Sequence, residues 1–551
     1  MAKGLLYREF PLGPAWVLSV EVDGGETMES TIFTDADRRQ FKELDVTEEE
    51  VLWQLRALTG PAPQVHLARP CTVGDGIRRL TEAEEKILLI FHEEAAAEGR
   101  CIKFVPASGA ASRMVAPLVW FHGLSDPPTL DELGKEARAG DPRCKELLRF
   151  FEALEDFAFF EELEGRMAEA GWNVRLLKEQ GRLREIVDFL LSPAGLGWAE
   201  LPKGLFKFHR YPEGSRTAFE EHLVEAAQYV RDKKGECRIH FTVAPGQRGR
   251  FELLWKEMKP LYEARYDVRF RVTFSVQRPS TDTISLDQAK SPVRLQDGRL
   301  LFRPGGHGAL IWNLNELRGD IVFIKNIDNV VPDRLKGPTI LWKKLLAGHL
   351  IRVQREVFSH LEALASGGVA RETVQRALDF ARRELFISWG EEVERGSTRR
   401  KREFLLSKLD RPIRVCGVVR NQGEPGGAPF WVEGPDGSIS LQIVEESQVD
   451  LRCASQRKIW GSSTHFNPVD IVCGLRDRTG APFDLMRFVD PSAFLVTRKS
   501  RGGEEIRVLE RPGLWNGAMA GWLTLFVEVP LLTFNPVKGV NDLLRPEHRP
   551  L

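Results

Sequence analysis

The sequence has no excess of either charge, and this argues against one broad class of function. It carries 78 lysine and arginine residues against 79 aspartate and glutamate residues, which gives a net charge of −1. A protein devoted to nucleic acid needs a basic surplus for its phosphate contacts. We therefore expect no nucleic-acid partner.

Long apolar runs are also missing. A helix that spans a bilayer needs about 18 uninterrupted apolar residues, and no segment of the sequence approaches that length. The first residues, MAKGLLYREF, lack the long apolar stretch of a signal peptide. We expect a cytoplasmic protein with no membrane partner.

Cysteine is scarce and scattered, with an odd total and no C-x-x-C pair. This pattern favours neither a disulfide framework nor a zinc site. The seven cysteines are Cys71, Cys101, Cys144, Cys237, Cys416, Cys453 and Cys473.

What the sequence does contain is typical of a large globular protein. Its 551 residues are 42% apolar and 28% charged, near the average for soluble domains. This length is several times that of a usual domain and allows two or three units folded around one another. We find no internal repeat.

The pattern of apolar residues divides the chain into three predicted ranges. Helical periodicity predicts an N-terminal helical cap over residues 1–99. Short apolar runs alternate with helical stretches over 100–400, which predicts a mostly parallel sheet covered on both faces. Glycine and proline turns separate short strands over 401–551, which predicts a β-rich part. The runs predicted as strands of the parallel sheet are 101–105, 238–243, 268–274 and 320–328.

Two further segments have simple structural interpretations. A charged helical insert is predicted at 126–194, and its apolar residues at helical spacing indicate core packing. The basic run at 395–404 follows acidic residues, so we interpret it as a solvated helix or linker. The apolar positions of the insert are Leu147, Phe150, Phe151, Leu154, Phe157 and Phe160.

The most informative segment for chemistry is FVPASGAASRM at 104–114. An apolar strand leads into five small residues and then Arg113. Small residues let backbone N–H groups approach phosphate oxygens, and arginine binds phosphate with two parallel hydrogen bonds. By itself this pattern is as typical of a tight turn as of a phosphate site.

Other polar residues follow apolar runs at loop positions. Lys203 in the PKG motif supplies a point charge suited to a triphosphate, although a solvated loop lysine is an equally simple interpretation. RPGGHGAL exposes backbone around His307, as either a sharp turn or a close ligand approach. Asp328 in NIDN follows the run at 320–325, where ligands of α/β sheets bind, and is well placed to hold Mg²⁺.

Taken in order, these segments resemble the UDP-sugar pyrophosphorylase family that makes UDP-glucose and UDP-N-acetylglucosamine. That family has GGxGTR, PKG, a strand with Q and P, PxGHG or PxGNG, and DN, where this chain has SGAASR, PKG, QRP, PGGHG and IDN. IVEESQV, GSSTHF and FNPVKGVNDLL are similar to the family's VVEYSEI, GNIxNHF and RFxPVKxxxDLL. The resemblance covers roughly residues 100–545. The strings PASGAASRM and RPGGHGALI also resemble the bacterial domain-of-unknown-function 4301 family.

The resemblance implies a Rossmann-like nucleotidyltransferase fold of the GT-A type. This is an α/β mixed sheet with the helical cap, the helical insert and the β-rich C-terminal part. It implies an enzyme that joins a sugar 1-phosphate to UTP or another NTP and releases pyrophosphate, with Mg²⁺ as cofactor.

Residue roles follow from the same resemblance. The implied catalytic residues are Arg113, Lys203 and Lys538. The implied nucleotide-binding residues are Ser108, Gly109, Ala110, Ala111, Ser112, Arg113, Gln277 and Gly306. The implied sugar-phosphate contacts are His307, Asn329, Glu445 and Ser462, and the implied metal ligand is Asp328.

The chain departs from the family in ways that keep two alternatives open. Ser108 and Ala111 replace glycines of the loop, which favours a non-catalytic nucleotide- or sugar-binding protein. Gln448 and Ser462 replace a glutamate and an asparagine, so the sugar is not determined. A glycosyltransferase that starts from the nucleotide sugar is the other alternative, although the PKG and PVK lysines favour pyrophosphate departure. The base, beyond a preference for uracil, and the oligomeric state are also open.

Overall fold

A computed structural model of the protein describes residues 33–109, 111–365, 368–423, 426–434, 437–501 and 504–550. The chain forms two compact units, each assembled from separate segments. The smaller unit comprises the described residues up to Ala62, Arg278–Gly306 and Phe494–Arg511, and the larger comprises Pro63–Gln277, His307–Ala493 and the described residues from Pro512 onward. The three consecutive ranges predicted from the sequence divide the chain in a different way, and they stay a prediction.

The strands are numbered β1 to β18 in chain order. They are β1 His66–Pro70, β2 Thr72–Val73, β3 Gly76–Arg78, β4 Cys101–Pro106, β5 Lys207–Tyr211, β6 Gly214–Thr217, β7 Glu236–Val243, β8 Arg269–Val276, β9 Thr283–Leu286, β10 Phe302–Arg303, β11 Ile321–Lys325, β12 Ile413–Arg420, β13 Ala428–Glu433, β14 Ile439–Val444, β15 His465–Gly474, β16 Leu495–Arg501, β17 Glu504–Glu510 and β18 Leu523–Glu528.

The α-helices are numbered α1 to α17 in the same way. They are α1 Asp35–Leu44, α2 Glu48–Thr59, α3 Glu82–Ala97, α4 Ser112–His122, α5 Leu130–Ala139, α6 Pro142–Glu152, α7 Phe160–Glu169, α8 Val174–Glu179, α9 Leu183–Leu191, α10 Ala218–Tyr229, α11 Arg248–Tyr266, α12 Leu310–Leu317, α13 Lys336–Ala365, α14 Arg371–Arg383, α15 Glu391–Glu394, α16 Thr398–Leu409 and α17 Ala454–Gly461.

A nine-stranded sheet dominates the larger unit, in the order β2-β3-β18-β12-β15-β11-β4-β7-β8. Strands β11, β4, β7 and β8 are mutually parallel, and so are β12, β18, β3 and β2. Strand β15 runs antiparallel to both of its neighbours. Eight of these nine strands therefore point the same way, and the predicted mixed, mostly parallel α/β sheet is confirmed.

Both faces of this sheet are covered, as predicted. Alternate residues of β4 point to opposite sides, so Val105 belongs to one apolar core and Phe104 to another. The first core includes Leu88 of α3 and Leu350 of α13, and the second includes Leu314 of α12. Because helices cover both faces, the sheet can be reached from solvent only at the ends of its strands, where the loops lie.

The segments with structural interpretations behave as expected. Helices α5 to α9 lie within the predicted insert, and the six apolar residues of its helical stripe are all buried. The basic run begins just after α15 and continues into α16, where Arg399 is exposed and pairs with Glu403.

The smaller unit contains α1, α2 and the sheet β10-β9-β17-β16. The Gln40 side chain of α1 bonds both the N–H and the C=O of Leu300, at 3.0 and 2.9 Å. Gln54 of α2 accepts from the Ile284 N–H at 2.9 Å. Helix α3 belongs to the larger unit, so the helices between residues 34 and 98 are shared between both units.

All seven cysteines lie among the described residues and are free thiols, with Cys453 exposed and the others buried. Within the described part of the chain, no helix has the length and apolar character needed to cross a membrane.

Candidate active site

Loops from several strands meet at one edge of the nine-stranded sheet. The carboxyl ends of β4, β7, β8 and β11 lie at this edge because these strands are parallel. The amino end of β15 lies there too, because this strand runs the opposite way. In sheets of this kind ligands bind at the carboxyl edge.

The predicted residues Lys203 and Asp328 are in direct contact at this edge. The Lys203 ammonium donates to Asp328 Oδ2 and to the backbone oxygen of Val537, both at 2.7 Å. The two side chains are only partly exposed, at 14% and 20%. Lys203 opens a short 3-10 helix after Pro202. A side chain on the next residue, Gly204, would meet the Phe251 ring at 2.8 Å, which explains the glycine of PKG.

The segment that carries Lys538 is attached to the same loop. The Val537 N–H donates to the Asp328 backbone oxygen at 3.0 Å, one residue before Lys538. Asp542 fixes the next turn by accepting from the Lys538 N–H at 2.7 Å. The Lys538 side chain is exposed. Lys203, Asp328 and the backbone next to Lys538 therefore meet at this edge, although more than two hundred positions separate Asp328 from Lys538.

Asn329 contributes to this attachment rather than to an open surface. It is 2% exposed, and its side-chain oxygen accepts from the Asn535 N–H at 2.9 Å. Its amide donates to the Thr533 backbone oxygen at 3.4 Å. The structure gives Asn329 a structural role, and its contact with a sugar stays a prediction.

The small-residue loop lies between β4 and α4. Ser108 is partly exposed and Gly109 exposed, Ala111 is buried, and Ala110 falls outside the described residues. Helix α4 begins at Ser112 with no side-chain cap and no acidic residue in its first turn. Arg113 is exposed in that turn. The unbonded N–H groups of α4 and Arg113 thus belong to the same first turn of the helix.

The predicted sugar contacts His307 and Glu445 form a second cluster. His307 Nε2 lies 3.8 Å from Glu445 Oε1, and both side chains are about one quarter exposed. The His307 ring stacks on Trp515, with centroids 4.1 Å apart, and its Nδ1 accepts from the Leu514 N–H at 2.9 Å. An added Cβ at Gly513 would lie 2.6 Å from the ring, so only glycine leaves room for it.

The remaining predicted residues are not brought into either cluster by the described contacts. Gln277 follows β8 in the larger unit, whereas Gly306 belongs to the smaller unit with a left-handed φ of 77°. The Ser462 hydroxyl donates to the Ile459 backbone oxygen at 2.7 Å at the end of α17. Gln448 is buried, and its side chain accepts from the Glu445 N–H.

The family model described as Domain of unknown function (DUF4301) matches residues 34–549. The chain belongs to this family. The family assignment agrees with the resemblance seen in the sequence. The comparison with curated proteins gives no match.

Two solved structures illustrate what this family member is similar to. A UDP-glucose pyrophosphorylase mutant from Leishmania major is 13% identical with a TM-score of 0.42, over 92% of this chain and 77% of that one. A uridine diphosphate N-acetylglucosamine pyrophosphorylase from Trypanosoma brucei is 12% identical with a TM-score of 0.47, over 93% and 79%. At these values the likeness assigns no activity to this chain.

Next to the Asp328 loop, the almost fully buried helix α10 carries acidic side chains that pair with buried lysines of the sheet. Glu225 of α10 accepts from Lys103 of β4 at 2.9 Å and from Lys325 of β11 at 2.7 Å. Burial lowers the pKa of Lys103 to about 7, and Glu225 opposes that shift. His222 of α10 lies 3.2 Å from the Ile327 backbone oxygen, in the loop that holds Asp328.

Sequence reasoning did not identify Trp515 or this charged helix. Trp515 follows Leu514 in a short stretch that matches no motif. The acidic residues of α10 look like those of a solvated helix, and only the buried lysines on β4 and β11 reveal their role. The sequence signal that could have revealed this helix is the presence of Lys103 and Lys325 inside apolar runs that are predicted as buried strands.

Proposed function

We propose that the protein is a nucleotidyltransferase that joins a sugar 1-phosphate to UTP, or to another NTP, and releases pyrophosphate. The observation that carries the proposal is the convergence of Lys203, Asp328 and the segment of Lys538 at the carboxyl edge of the sheet. A reaction between two phosphate esters needs cations and aligned phosphates more than covalent help from the protein. The proposed location is the cytoplasm.

The loop after β4 is the proposed binding site of the triphosphate. The uncapped first turn of α4 offers N–H donors and the positive end of the helix to an anion. Arg113 adds a permanent charge next to them. An added Cβ at Gly109 would meet nothing within 4 Å, so the protein itself leaves open space beside the loop.

Asp328 is the proposed ligand of Mg²⁺. Within the described ranges no three His, Cys, Asp or Glu side chains are grouped as a metal site. Mg²⁺ commonly uses one or two carboxylates and takes its other ligands from substrate phosphates and water, so a single partly exposed carboxylate fits it. When bound, the ion would supply positive charge to the phosphates.

The proposed reaction is an in-line displacement at the α-phosphorus. An oxygen of the sugar 1-phosphate forms a bond to that phosphorus, and the bond from it to the bridging oxygen of the β-phosphate breaks. Lys203, Arg113 and Lys538 offset the charge of the departing pyrophosphate. Gln277 and Gly306 are the proposed contacts of the base. His307, Glu445, Asn329 and Ser462 are the proposed contacts of the sugar phosphate.

A panel of the four NTPs, each combined with several sugar 1-phosphates and MgCl₂, tests the proposal through pyrophosphate release. We expect release with UTP and at least one sugar, and its loss in Lys203→Met, which controls for contaminating enzymes. Release in no combination, or equal release by both proteins, contradicts the proposal. Transfer of sugar from a UDP-sugar to an acceptor, without pyrophosphate exchange, would instead establish the glycosyltransferase alternative.

A further inference from the structure

The segment that carries Lys538 is anchored at both of its ends. We call residues 535–548 the arm. At one end of the arm Val537 is bonded to the Asp328 loop. At the other end His548 is 2% exposed, inside the larger unit. Arg545, between these points, folds the arm on itself by donating to the Pro536 backbone oxygen.

His548 is linked to a buried carboxylate through a second imidazole. His548 Nδ1 lies 2.9 Å from His209 Nε2, and the two rings are stacked with centroids 5.2 Å apart. His209 Nδ1 lies 2.9 Å from Glu221 Oε1 on α10. His209 and Glu221 are fully buried at their side chains.

The direction of these hydrogen bonds follows from Glu221. A carboxylate can only accept, so His209 Nδ1 carries a hydrogen and donates to it. A neutral His209 then accepts at Nε2, and His548 must donate from its Nδ1. Burial lowers the pKa of both imidazoles, that of His548 to about 2, so both are neutral at pH 7. Each hydrogen bond in this series is therefore donated toward Glu221, by His548 to His209 and by His209 to the carboxylate.

Glu221 holds two other segments that lead to the site. Tyr211 donates its hydroxyl to Glu221 at 2.7 Å, and Lys336 donates to it at 2.5 Å. Tyr211 lies on β5, the strand that follows Lys203, and Lys336 opens α13 directly after the Asp328 loop. One buried carboxylate thus ties together the three segments that carry Lys203, Asp328 and Lys538.

We infer that His548 is a positioning residue, which holds the arm on Glu221 through His209 and thereby sets Lys538 beside Asp328 and Lys203. The inference of a catalytic consequence rests on the proposed function. The anchoring itself can be measured without any substrate.

The first experiment measures amide hydrogen exchange over the arm at its site end. His548→Ala should raise exchange of the Val537 amide at least about tenfold, because its N–H bond to the Asp328 backbone oxygen opens when the arm is released. His548→Asn should restore protection, since its amide nitrogen can donate to His209. Arg549→Ala is the matched control, because Arg549 lies just past the arm and pairs with Asp156 at the surface.

The second experiment is a double-mutant cycle on pyrophosphate release. His548→Ala should lower kcat about tenfold with little change in the KM for the NTP, and His548→Asn should recover most of it. In a Lys538→Ala background, His548→Ala should lower kcat less than about twofold, because the residue it positions is gone. Additive losses would indicate general damage to the fold and overturn the inference.

The two experiments separate failure of the inference from failure of the proposed function. Wild-type protein without any pyrophosphate release contradicts the proposed function, and hydrogen exchange then decides the anchoring alone. Unchanged exchange of the Val537 amide in His548→Ala overturns the inference whatever the activity. If His548→Ala does not fold, His548→Phe replaces it, because it retains an aromatic ring and lacks both nitrogens.

Discussion

At the scale of single residues, the Lys203–Asp328 pair is the feature that most constrains function. The two partly exposed side chains bond each other, and the Lys203 ammonium also donates to the backbone oxygen of Val537. Both side chains are mostly buried, so the desolvation of the two charges offsets much of their attraction, and the pair is weak evidence for stability. Its position at the carboxyl edge, rather than its energy, is what suggests chemistry.

The first prediction is that Asp328→Asn raises the Mg²⁺ concentration needed for half-maximal rate and lowers turnover by about a hundredfold, the scale of a lost transition-state contact. A neutral amide is a poorer ligand for a hard cation than a carboxylate. Its oxygen can still accept from Lys203, so the fold should be retained. Initial rates titrated with MgCl₂ measure both effects.

Asp320→Asn is the control for this prediction. Asp320 lies just before β11, at the opposite edge of the sheet, and pairs with Arg100 at 2.7 Å. Its substitution should leave the Mg²⁺ dependence unchanged. An identical response of the two variants, or a normal Mg²⁺ requirement in Asp328→Asn, contradicts metal binding at Asp328.

At the scale of elements, the packing of α13 on α3 depends on one glycine. A Cβ added at Gly348 of α13 would lie 2.0 Å from the backbone oxygen of Leu88 in α3 and 2.6 Å from its carbonyl carbon. Backbone atoms cannot rotate away as a side chain can. The two helices would have to separate, and both cover the same face of the large sheet.

The second prediction is therefore that Gly348→Ala lowers the free energy of unfolding by about 1–3 kcal/mol, the usual range for overpacking, or more. Gly337→Ala in the same helix is the matched control, because an added Cβ there meets nothing within 4 Å. That variant should be neutral or up to about 1 kcal/mol more stable, since alanine favours helix over glycine. Urea unfolding of both proteins measures the difference, and equal stabilities would show that the close approach is absent.

Elements were the level at which the sequence was most informative. The apolar run at 101–105 became β4, Cys101–Pro106, and that at 238–243 became β7, Glu236–Val243. Short runs bounded by glycine and proline leave few alternatives to a buried strand, and their order along the chain gave the parallel sheet. Strand positions can be predicted from local patterns because a buried strand is recognised by the apolar residues of its own short segment.

At the scale of the whole molecule, long-range pairings could not be predicted. Ser285 of β9 pairs with Val508 of β17 in the smaller unit, and His209 bonds His548 in the larger. Contacts between residues hundreds of positions apart leave no periodicity in either segment. For the candidate site, motif order supplied Lys203, Asp328 and Lys538, whereas the buried charges below them became visible only once the strands were placed.

The last prediction concerns stability against acid, which depends on buried imidazoles throughout the larger unit. Burial lowers the pKa of each below its ordinary value of about 6.5. It falls to about 4 for His92, to about 4 for His240, to about 3 for His349 and to about 2 for His548. Between pH 6.5 and 4 these histidines bind protons in the unfolded chain, whereas in the folded chain they stay neutral.

The stability that these histidines contribute should therefore be fully present above pH 6.5 and fall as the pH drops toward 4, by up to about 1.4 kcal/mol per pH unit for each of them. Urea midpoints at pH 7.5, 6.5 and 5.5, at constant ionic strength, measure this slope. In His349→Gln the side chain is neutral at every pH, so the slope should decrease by about one histidine's share. A midpoint that stays constant or rises between pH 6.5 and 5.5 would show that these imidazoles accept protons in the folded protein, and that their burial does not hold them neutral.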